Sequence, residues 1–393
     1  MSTLQEFLRT TSYVLDACQV EVKGGLAYLS TPPDGLAPWI VTHEQATALL
    51  AFTELGEEAR AQRLVRALLV MQHPKGYWAA AYRPDGTPMG PVTVASSAAV
   101  IWALLTYARA HNGDAVANAL APRVQRTLTA LAEHLHPQLE LPLVQGDVLP
   151  PAYSAGFSLW TAALTAAVFQ EAGELYSERD YTDQAGLVRA AIERHLIQDG
   201  RFITRLTPQG MPDPRPTIAL LAPALFEVWE AQDPLLDETR AWIERSLIDR
   251  QIGGLRPFLV YAPGENVALP GVWPTATAWF ARYLYLAGDR EGGDKLLRRL
   301  LNSVVKGEMP QAILTPKLLA FVRAQKQLFL DGGGQTGRAL MRRLLEDLTQ
   351  QAKERSFLYA ISPAFASHME TLRAFVAGGY VRTLAQTKTV AGQ

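Results

Sequence analysis

The apolar residues of this 393-residue chain recur at positions i, i+3, i+4 and i+7 along most of its length. This spacing places them on one face of a helix and therefore predicts an all-α fold. Alternating patterns typical of half-buried strands are scarce. The helical pattern covers these segments: 43–54, 57–72, 93–110, 115–135, 157–176, 179–197, 217–230, 235–249, 274–287, 289–305, 315–330, 335–352 and 363–377.

The connections between these segments alternate between short and long. The long ones are 22–42, 73–92, 137–156, 198–216 and 251–273. A ring of helical hairpins gathers such loops on one face, where a pocket can form. No linker divides the chain and no repeat of fixed length runs through it, which argues against a helical solenoid. We therefore expect one domain over residues 1–393.

The composition excludes several classes of function. Lys and Arg number 37 against 38 Asp and Glu, so no long-range field favours nucleic acid or an anionic membrane. Cys18 is the single cysteine, and no nucleotide-binding, zinc or serine-hydrolase motif is present, so we expect no cofactor and no metal. The N-terminus reads as an amphipathic helix, and no apolar run is long enough to span a bilayer. A soluble, cytoplasmic protein is expected.

One segment points to a ligand. Residues 253–288 read GGLRPFLVYAPGENVALPGVWPTATAWFARYLYLAG, a polar and aromatic loop that leads into a helix. Pro274 suits the first turn of that helix, because the N–H it lacks would have no partner there. Arg256, Tyr261 and Trp273 are side chains of the kind that bind sugar hydroxyls and stack on sugar rings. Each also has a structural reading, since Arg256 could pair with Asp213 and Trp273 could be a core residue.

This stretch resembles the glucoamylase-type glycoside hydrolases, a family of (α/α)6 toroids. Several shorter motifs extend the resemblance over about residues 38–377. Trp39 followed by His43-Glu44 is similar to the Trp and Arg-Asp pair that holds the terminal sugar in that family. Gln72, Trp78 and Tyr82 lie in a segment similar to its Q…G-x-W…Y-x-x-D-G loop. The resemblance implies sugar contacts from Trp39, His43, Glu44, Trp78, Tyr82, Arg256, Tyr261 and Trp273.

When the short motifs are matched to those of the family in this way, both catalytic carboxylates of the family are replaced in this sequence. Asp147 and the following helix match the general-acid loop, but Pro150 and Pro151 stand at the positions of its Trp-Glu-Glu. The segment from Gly307 to Ala312 is similar to the family's G-x-L-P-E-Q, with Gln311 at the position of the general base. Proline and glutamine cannot exchange a proton near neutral pH, and inverting hydrolysis needs both an acid and a base. Residues 365–369, FASHM, are similar to a motif that stabilises the pocket floor.

Three functional hypotheses follow. In the first, the protein binds a sugar or glycan without family-type hydrolysis. In the second, it is an active hydrolase, lyase or epimerase whose acid and base have moved, with Asp147 and Glu308 as the first candidates and Glu44 and Glu265 behind them. An epimerase could instead use His43 with His368. In the third, the toroid is purely structural and its tryptophans fill the cavity. The sequence leaves the ligand and the oligomeric state open.

Overall fold

The computed structural model describes residues 3–111, 113–144, 155–213, 215–259, 269–324 and 334–384. The chain is divided into two compact units. The first unit comprises Met1–Gln19, Leu29–Trp39 and Glu244–Gln393, and the second comprises Val20–Tyr28 and Ile40–Ile243. A single domain over 1–393 stays a prediction.

The second unit is built from successive helical pairs. Its helices are α2 (Thr42–Glu54), α3 (Glu58–Met71), α4 (Val94–Ala110), α5 (Gly113–Glu133), α6 (Leu159–Tyr176), α7 (Arg179–His195) and the short α8 (Ala222–Leu225), which follows the 3-10 turn Ile218–Leu221. Helices α2, α4, α6 and α8 pack against one another in succession. Most residues of α4 and α6 are buried, as expected for helices covered on several sides, whereas α3 and α7 bury one face. The even helices therefore lie inside and the odd ones outside.

The first unit contains α1 (Leu4–Ala17), α10 (Pro274–Leu286), α11 (Arg290–Ser303), α12 (Pro316–Ala324), α13 (Gly334–Gln351) and α14 (Phe365–Ala377). Helix α9 (Pro234–Leu247) begins in the second unit and ends in the first. Helix α10 packs against both α11 and α14, and α1 packs against α14. Helices α12 and α13 have a small core of their own, which includes Leu314, Leu319, Leu344, Leu348 and Leu358. These two helices pack against each other and against the short strands β11 (Ala312–Leu314) and β12 (Leu358–Ala360).

Short strands brace the long connections that the sequence indicated. The strands are β1 (Gln19–Val22), β2 (Gly25–Tyr28), β3 (Ile40–Val41), β4 (Ala79–Tyr82), β5 (Pro88–Val92), β6 (Phe157–Ser158), β7 (Ile197–Gln198), β8 (Arg201–Phe202), β9 (Arg205–Leu206), β10 (Pro212–Asp213), β11 (Ala312–Leu314) and β12 (Leu358–Ala360). They form sheets of two or three strands. Strand β3 leads directly into α2, and β6 leads directly into α6. Two to five residues are too few for an alternating pattern to emerge from the sequence. In the described part of the chain, no helix meets the length and hydropathy of a bilayer span.

A close approach of backbones joins α1 to the loop that follows α11. Gly307 has a φ of +73°, and a Cβ placed on it would lie 2.6 Å from the backbone N and Cα of Phe7. Gly288, after α10, has a φ of +83°, but a Cβ placed there would meet nothing within 4 Å. The two glycines therefore share a left-handed conformation, and only Gly307 also needs the space that a side chain would fill.

We expect Gly307→Ala to lower the free energy of unfolding by more than Gly288→Ala does. The left-handed conformation should cost each variant about 1–2 kcal/mol. Only Gly307→Ala must in addition displace the backbone of α1. Urea denaturation of both variants measures the difference. Equal losses in the two variants would contradict the close approach at Phe7.

Candidate functional site

The first turn of α2 is fixed on two sides by buried polar side chains. The Thr42 hydroxyl donates to the carbonyl oxygen of Ala79 in β4. On the other side, Gln45 accepts a hydrogen bond from the Tyr28 N–H at 2.9 Å and donates to the Tyr28 oxygen at 2.8 Å. Both side chains are almost fully buried. His43 and Glu44, which lie between them in sequence, are thus carried on a rigid turn.

The His43 side chain is strongly desolvated, yet part of the residue remains accessible to solvent. The surrounding protein lowers the pKa of His43 to about 4, because burial disfavours the charged imidazolium. The residue is nevertheless only partly buried, and among the described residues its ring has no hydrogen-bond partner. A neutral imidazole offers one donor and one acceptor. His43 therefore presents both to a ligand that approaches its exposed surface. Glu44, beside it, is also partly exposed.

Trp78 and Tyr82 serve the scaffold in this structure. The Trp78 indole N–H donates to the Leu68 oxygen at 2.8 Å, and the Tyr82 hydroxyl donates to the Met71 oxygen at 2.8 Å. The exposed fractions of the two residues are 0% and 1%, and burial raises the pKa of Tyr82 to about 12. They connect the β4 segment to the end of α3. Neither has an exposed face for a ligand, so neither can contact a sugar in this structure.

Arg256 is held by a carboxylate that the sequence did not single out. Its guanidinium donates to Oδ2 of Asp249 through Nη2 at 2.6 Å and through Nε at 3.1 Å. The other oxygen of Asp249 accepts the N–H groups of Gln251 and Ile252, both at 2.9 Å. Burial by itself raises the pKa of Asp249, but the Ile252 N–H and the Arg256 side chain reverse this effect, so the pKa lies below its usual value.

The alternative pairing of Arg256 with Asp213 is wrong. Asp213 instead binds Arg205 at 3.3 Å and Arg215 at 2.7 Å, both of which belong to its own loop. In the sequence, the position of Asp249 and Arg256 on either side of Gly253-Gly254 was the signal that could have predicted this ion pair. Gly-rich turns bring such flanking residues together.

Trp273 lies next to Arg256 and is only partly buried. It is the N-cap residue of α10, and its backbone N–H donates to the Leu255 oxygen at 2.9 Å. Its indole N–H donates to the Leu269 oxygen at 3.0 Å, and its ring packs against the small core of α12 and α13. Trp273 therefore packs against the core, as one of the two expectations had it, and its role as a sugar contact stays a prediction.

The loop that carries Glu308 and Gln311 is anchored by His368. Nε2 of His368 accepts the Met309 N–H at 3.1 Å, so the ring proton is on Nδ1 and is donated to Oγ1 of Thr11 at 2.9 Å. His368 is fully buried, and desolvation lowers its pKa to about 3. With both nitrogens engaged and no exposed surface, His368 is not available as a general base. His368 thus supports the loop and α1 in this structure, and the role of the FASHM motif at a pocket floor stays a prediction.

Glu308 and Gln311 occupy different surroundings on that loop. Glu308 is exposed and accepts a hydrogen bond from the Ser362 hydroxyl at 3.3 Å. The backbone N–H of Gln311 donates to the Ala360 oxygen at 3.1 Å, and its side chain is partly buried.

Trp39 is partly buried at the end of the segment that precedes β3. The described residues contain no group of three or more potential metal ligands. Asp147, Pro150, Pro151, Tyr261 and Glu265 lie outside the described residues.

Comparisons with known proteins identify the fold. No protein-family model matches the chain, and no curated protein matches it. A glycosidase solved in complex with glucose is similar over 96% of this chain and 97% of its own, at a TM-score of 0.67 and 15% identity. A bacterial glucoamylase complexed with acarbose is similar over 96% of this chain and 56% of its own, at a TM-score of 0.69 and 12% identity. An alpha-amylase from Clostridium perfringens is similar over 95% of this chain and 98% of its own, at a TM-score of 0.60 and 11% identity.

Identities this low establish the fold and not the activity. The chain has the all-α fold of glucoamylase-like glycoside hydrolases, and the predicted fold class is confirmed.

We expect Arg256→Ala to destabilise the protein by about 2–3 kcal/mol, because it leaves the buried Asp249 carboxylate without its counter-charge. The control is Arg250→Ala, which removes an exposed arginine one residue beyond Asp249. Thermal and urea unfolding of both variants test the difference. If Arg256→Ala is as stable as the control, the Asp249 pair contributes nothing to folding.

The buried, neutral His368 predicts that the protein loses stability in acid. The pKa of His368 in the folded protein is about 3, below the ordinary value of about 6.5, so the unfolded chain takes up the proton first. Its contribution is complete above pH ~6.5 and declines as the pH falls towards 3. Between pH 7 and 4 this one group should account for about 3 kcal/mol. In His368→Gln the decline should be smaller by that amount, whereas the exposed His73→Gln should follow the wild type. Parallel profiles for the wild type and His368→Gln would refute the assignment.

Proposed function

We propose that this protein binds a sugar or a short glycan at the first turn of α2, with His43 and Glu44 as contacts, and that it does not hydrolyse the ligand by the family mechanism. The glycosidase-like fold supports a function related to carbohydrates. Neighbours of the same fold were solved with glucose and with acarbose bound. The expected sugar-contact positions of this chain that remain partly exposed are Trp39, His43, Glu44, Arg256 and Trp273.

The unpartnered ring of His43 is the observation that carries the proposal. Neither ring nitrogen of His43 is among the fully buried side-chain atoms that lack a partner in the described structure, so both stay reachable by solvent or by a ligand hydroxyl. The described structure supplies no partner for this ring, although it fixes the residues on either side of it. A sugar hydroxyl, which both donates and accepts, would satisfy either nitrogen. At a pKa of about 4 the ring stays neutral at pH 7, so it binds through hydrogen bonds and not through charge.

The absence of family-type hydrolysis is proposed from side-chain chemistry. At the position of the general base stands Gln311, an amide without proton affinity near neutral pH. Its loop is held by the hydrogen bond from the Met309 N–H to His368. Asp147 and Glu308 remain the candidates for a relocated acid and base, and an active carbohydrate enzyme is the alternative. A cytoplasmic location stays a prediction.

The proposal is tested by calorimetric titration with glucose, maltose, isomaltose, trehalose and acarbose. We expect binding of at least one of them, and a roughly tenfold weaker affinity in His43→Ala, which corresponds to one lost hydrogen bond in a desolvated site. The control is His73→Ala, which removes an exposed histidine. An unchanged dissociation constant in His43→Ala would exclude this site.

Hydrolysis is tested separately by the release of reducing sugar from maltooligosaccharides, isomaltooligosaccharides and trehalose over a long incubation. No release is expected from the wild type. Release that Asp147→Asn or Glu308→Gln abolishes, while the exposed control Glu133→Gln retains it, would instead establish an enzyme with relocated carboxylates.

A further inference from the structure

A polar cleft lies beside the loop that carries Glu308, entirely within the first unit. Its cavity of about 710 Å³ is bounded by residues 34–36, residues 305–308, helix α13 and the residues around β12. This volume falls in the range of about 300–1,000 Å³ that is typical of small-molecule sites. We call it the α13 cleft. The resemblance to glycosidases assigned no residue of α13 to any function.

Charged side chains of both signs line the α13 cleft without neutralising one another. The acidic ones are Asp34, Glu308, Glu346 and Asp347, and the basic ones are Lys306, Arg343 and Arg355. Among the described residues no ion pair within 4.0 Å joins any of the seven. Two of the carboxylates accept from neutral groups: Glu308 from the Ser362 hydroxyl at 3.3 Å, and Asp347 from the Gln351 amide at 2.9 Å. The cleft therefore offers charged donors and acceptors that the described protein leaves unneutralised.

Two non-glycine residues at the α13 cleft have a left-handed backbone: Lys306 lines the cleft, and Ile361 lies between the lining residues Tyr359 and Ser362. Lys306 has a φ of +52° and Ile361 a φ of +54°, although neither is glycine. A β-branched residue such as Ile361 rarely adopts this conformation, and strained residues of this kind cluster at binding sites. Hydrogen bonds hold both in place: the Lys306 oxygen accepts the Thr10 hydroxyl at 2.7 Å, and the Ile361 oxygen accepts the Gln311 N–H at 3.0 Å. The walls are therefore preorganised before a ligand arrives.

The balance of charges selects the class of ligand. An anion or a cation would meet about as many repelling as attracting groups in the α13 cleft. A neutral polyol meets no such conflict, since each hydroxyl can donate to a carboxylate and accept from Arg343 or Lys306. Val305, which is 46% exposed, and Leu36 add apolar surface for the C–H face of a sugar ring.

We infer that the α13 cleft is a second carbohydrate site, which takes a neutral oligosaccharide. This inference rests on the proposed function, since it assumes a protein that binds sugars. The cleft wall at Lys306 and Glu308 continues along the chain through the buried Met309 to Gln311. A glycan in the cleft would thus lie within a few residues of the position of the family base.

The test uses calorimetric titration of the full chain with maltotriose and isomaltotriose. Arg343→Ala and Glu346→Ala should each weaken the binding of one of these trisaccharides roughly tenfold, the effect of one charged hydrogen bond. Each variant has a matched control, Arg342→Ala and Glu354→Ala, which removes an exposed residue of the same charge outside the cleft. All four positions are exposed, so all four variants should fold.

Combination with His43→Ala separates the two proposals. If both sites exist, His43→Ala retains a trisaccharide binding component that Arg343→Ala removes. Weakening by Arg343→Ala alone would leave the α13 cleft as the site and reject the one at α2. Wild-type affinity in Arg343→Ala and Glu346→Ala would reject the cleft, as would the lack of trisaccharide binding by the wild type. Tighter binding of glucuronic acid or glucosamine than of glucose to the His43→Ala protein would overturn the assignment to neutral sugars.

Discussion

The hydrogen bonds of one neutral histidine hold together the parts of the first unit on which a site depends. His368 on α14 accepts the Met309 N–H and donates to Thr11 on α1, and Phe7 stacks on its ring with centroids 5.7 Å apart. A charged ring could not accept from Met309, so the arrangement needs the deprotonated state that burial enforces. One side chain thus fixes a helix, the helix that packs on it, and the loop that leads to Gln311.

The polar residues of the chain fall into two groups that have different consequences. Arg256 and Asp213 are engaged by oppositely charged partners close to them in sequence, which satisfies buried charge and stabilises loops. His43 and the charged side chains of the α13 cleft are placed by equally rigid backbone but have no such partner among the described residues. Rigid placement combined with an unused hydrogen-bonding group is what preorganised ligand sites share. This contrast separates His43 and the charged residues of the α13 cleft from the ion-paired residues that stabilise the loops.

The sequence predicted the fold better than the site, and the reason is physical. Helical periodicity reports burial averaged over many residues, so α4, α6 and α11 could be placed closely. Segment 217–230 was the weakest of these predictions: it forms a 3-10 turn and the four-residue α8, because Pro223 and a buried run without a polar face do not specify a longer helix. The roles of single residues depend on neighbours distant in sequence. Nothing local distinguishes the buried Trp78 from the partly exposed Trp273.

The same fold can keep a sugar site after it loses hydrolysis, because the two functions depend on different groups. Binding needs donors and acceptors in fixed positions, whereas hydrolysis needs groups that change their protonation state during the reaction. According to the resemblance, glutamine at position 311 would offer a donor and an acceptor where the family has a carboxylate. The hydrogen bond from Met309 to His368 anchors the loop that leads to it. A neutral His43 follows the same logic, since its pKa of about 4 makes it a hydrogen-bonding group and a weak base at pH 7. Under the proposed function, the chemistry of both residues suits holding a sugar better than cleaving it.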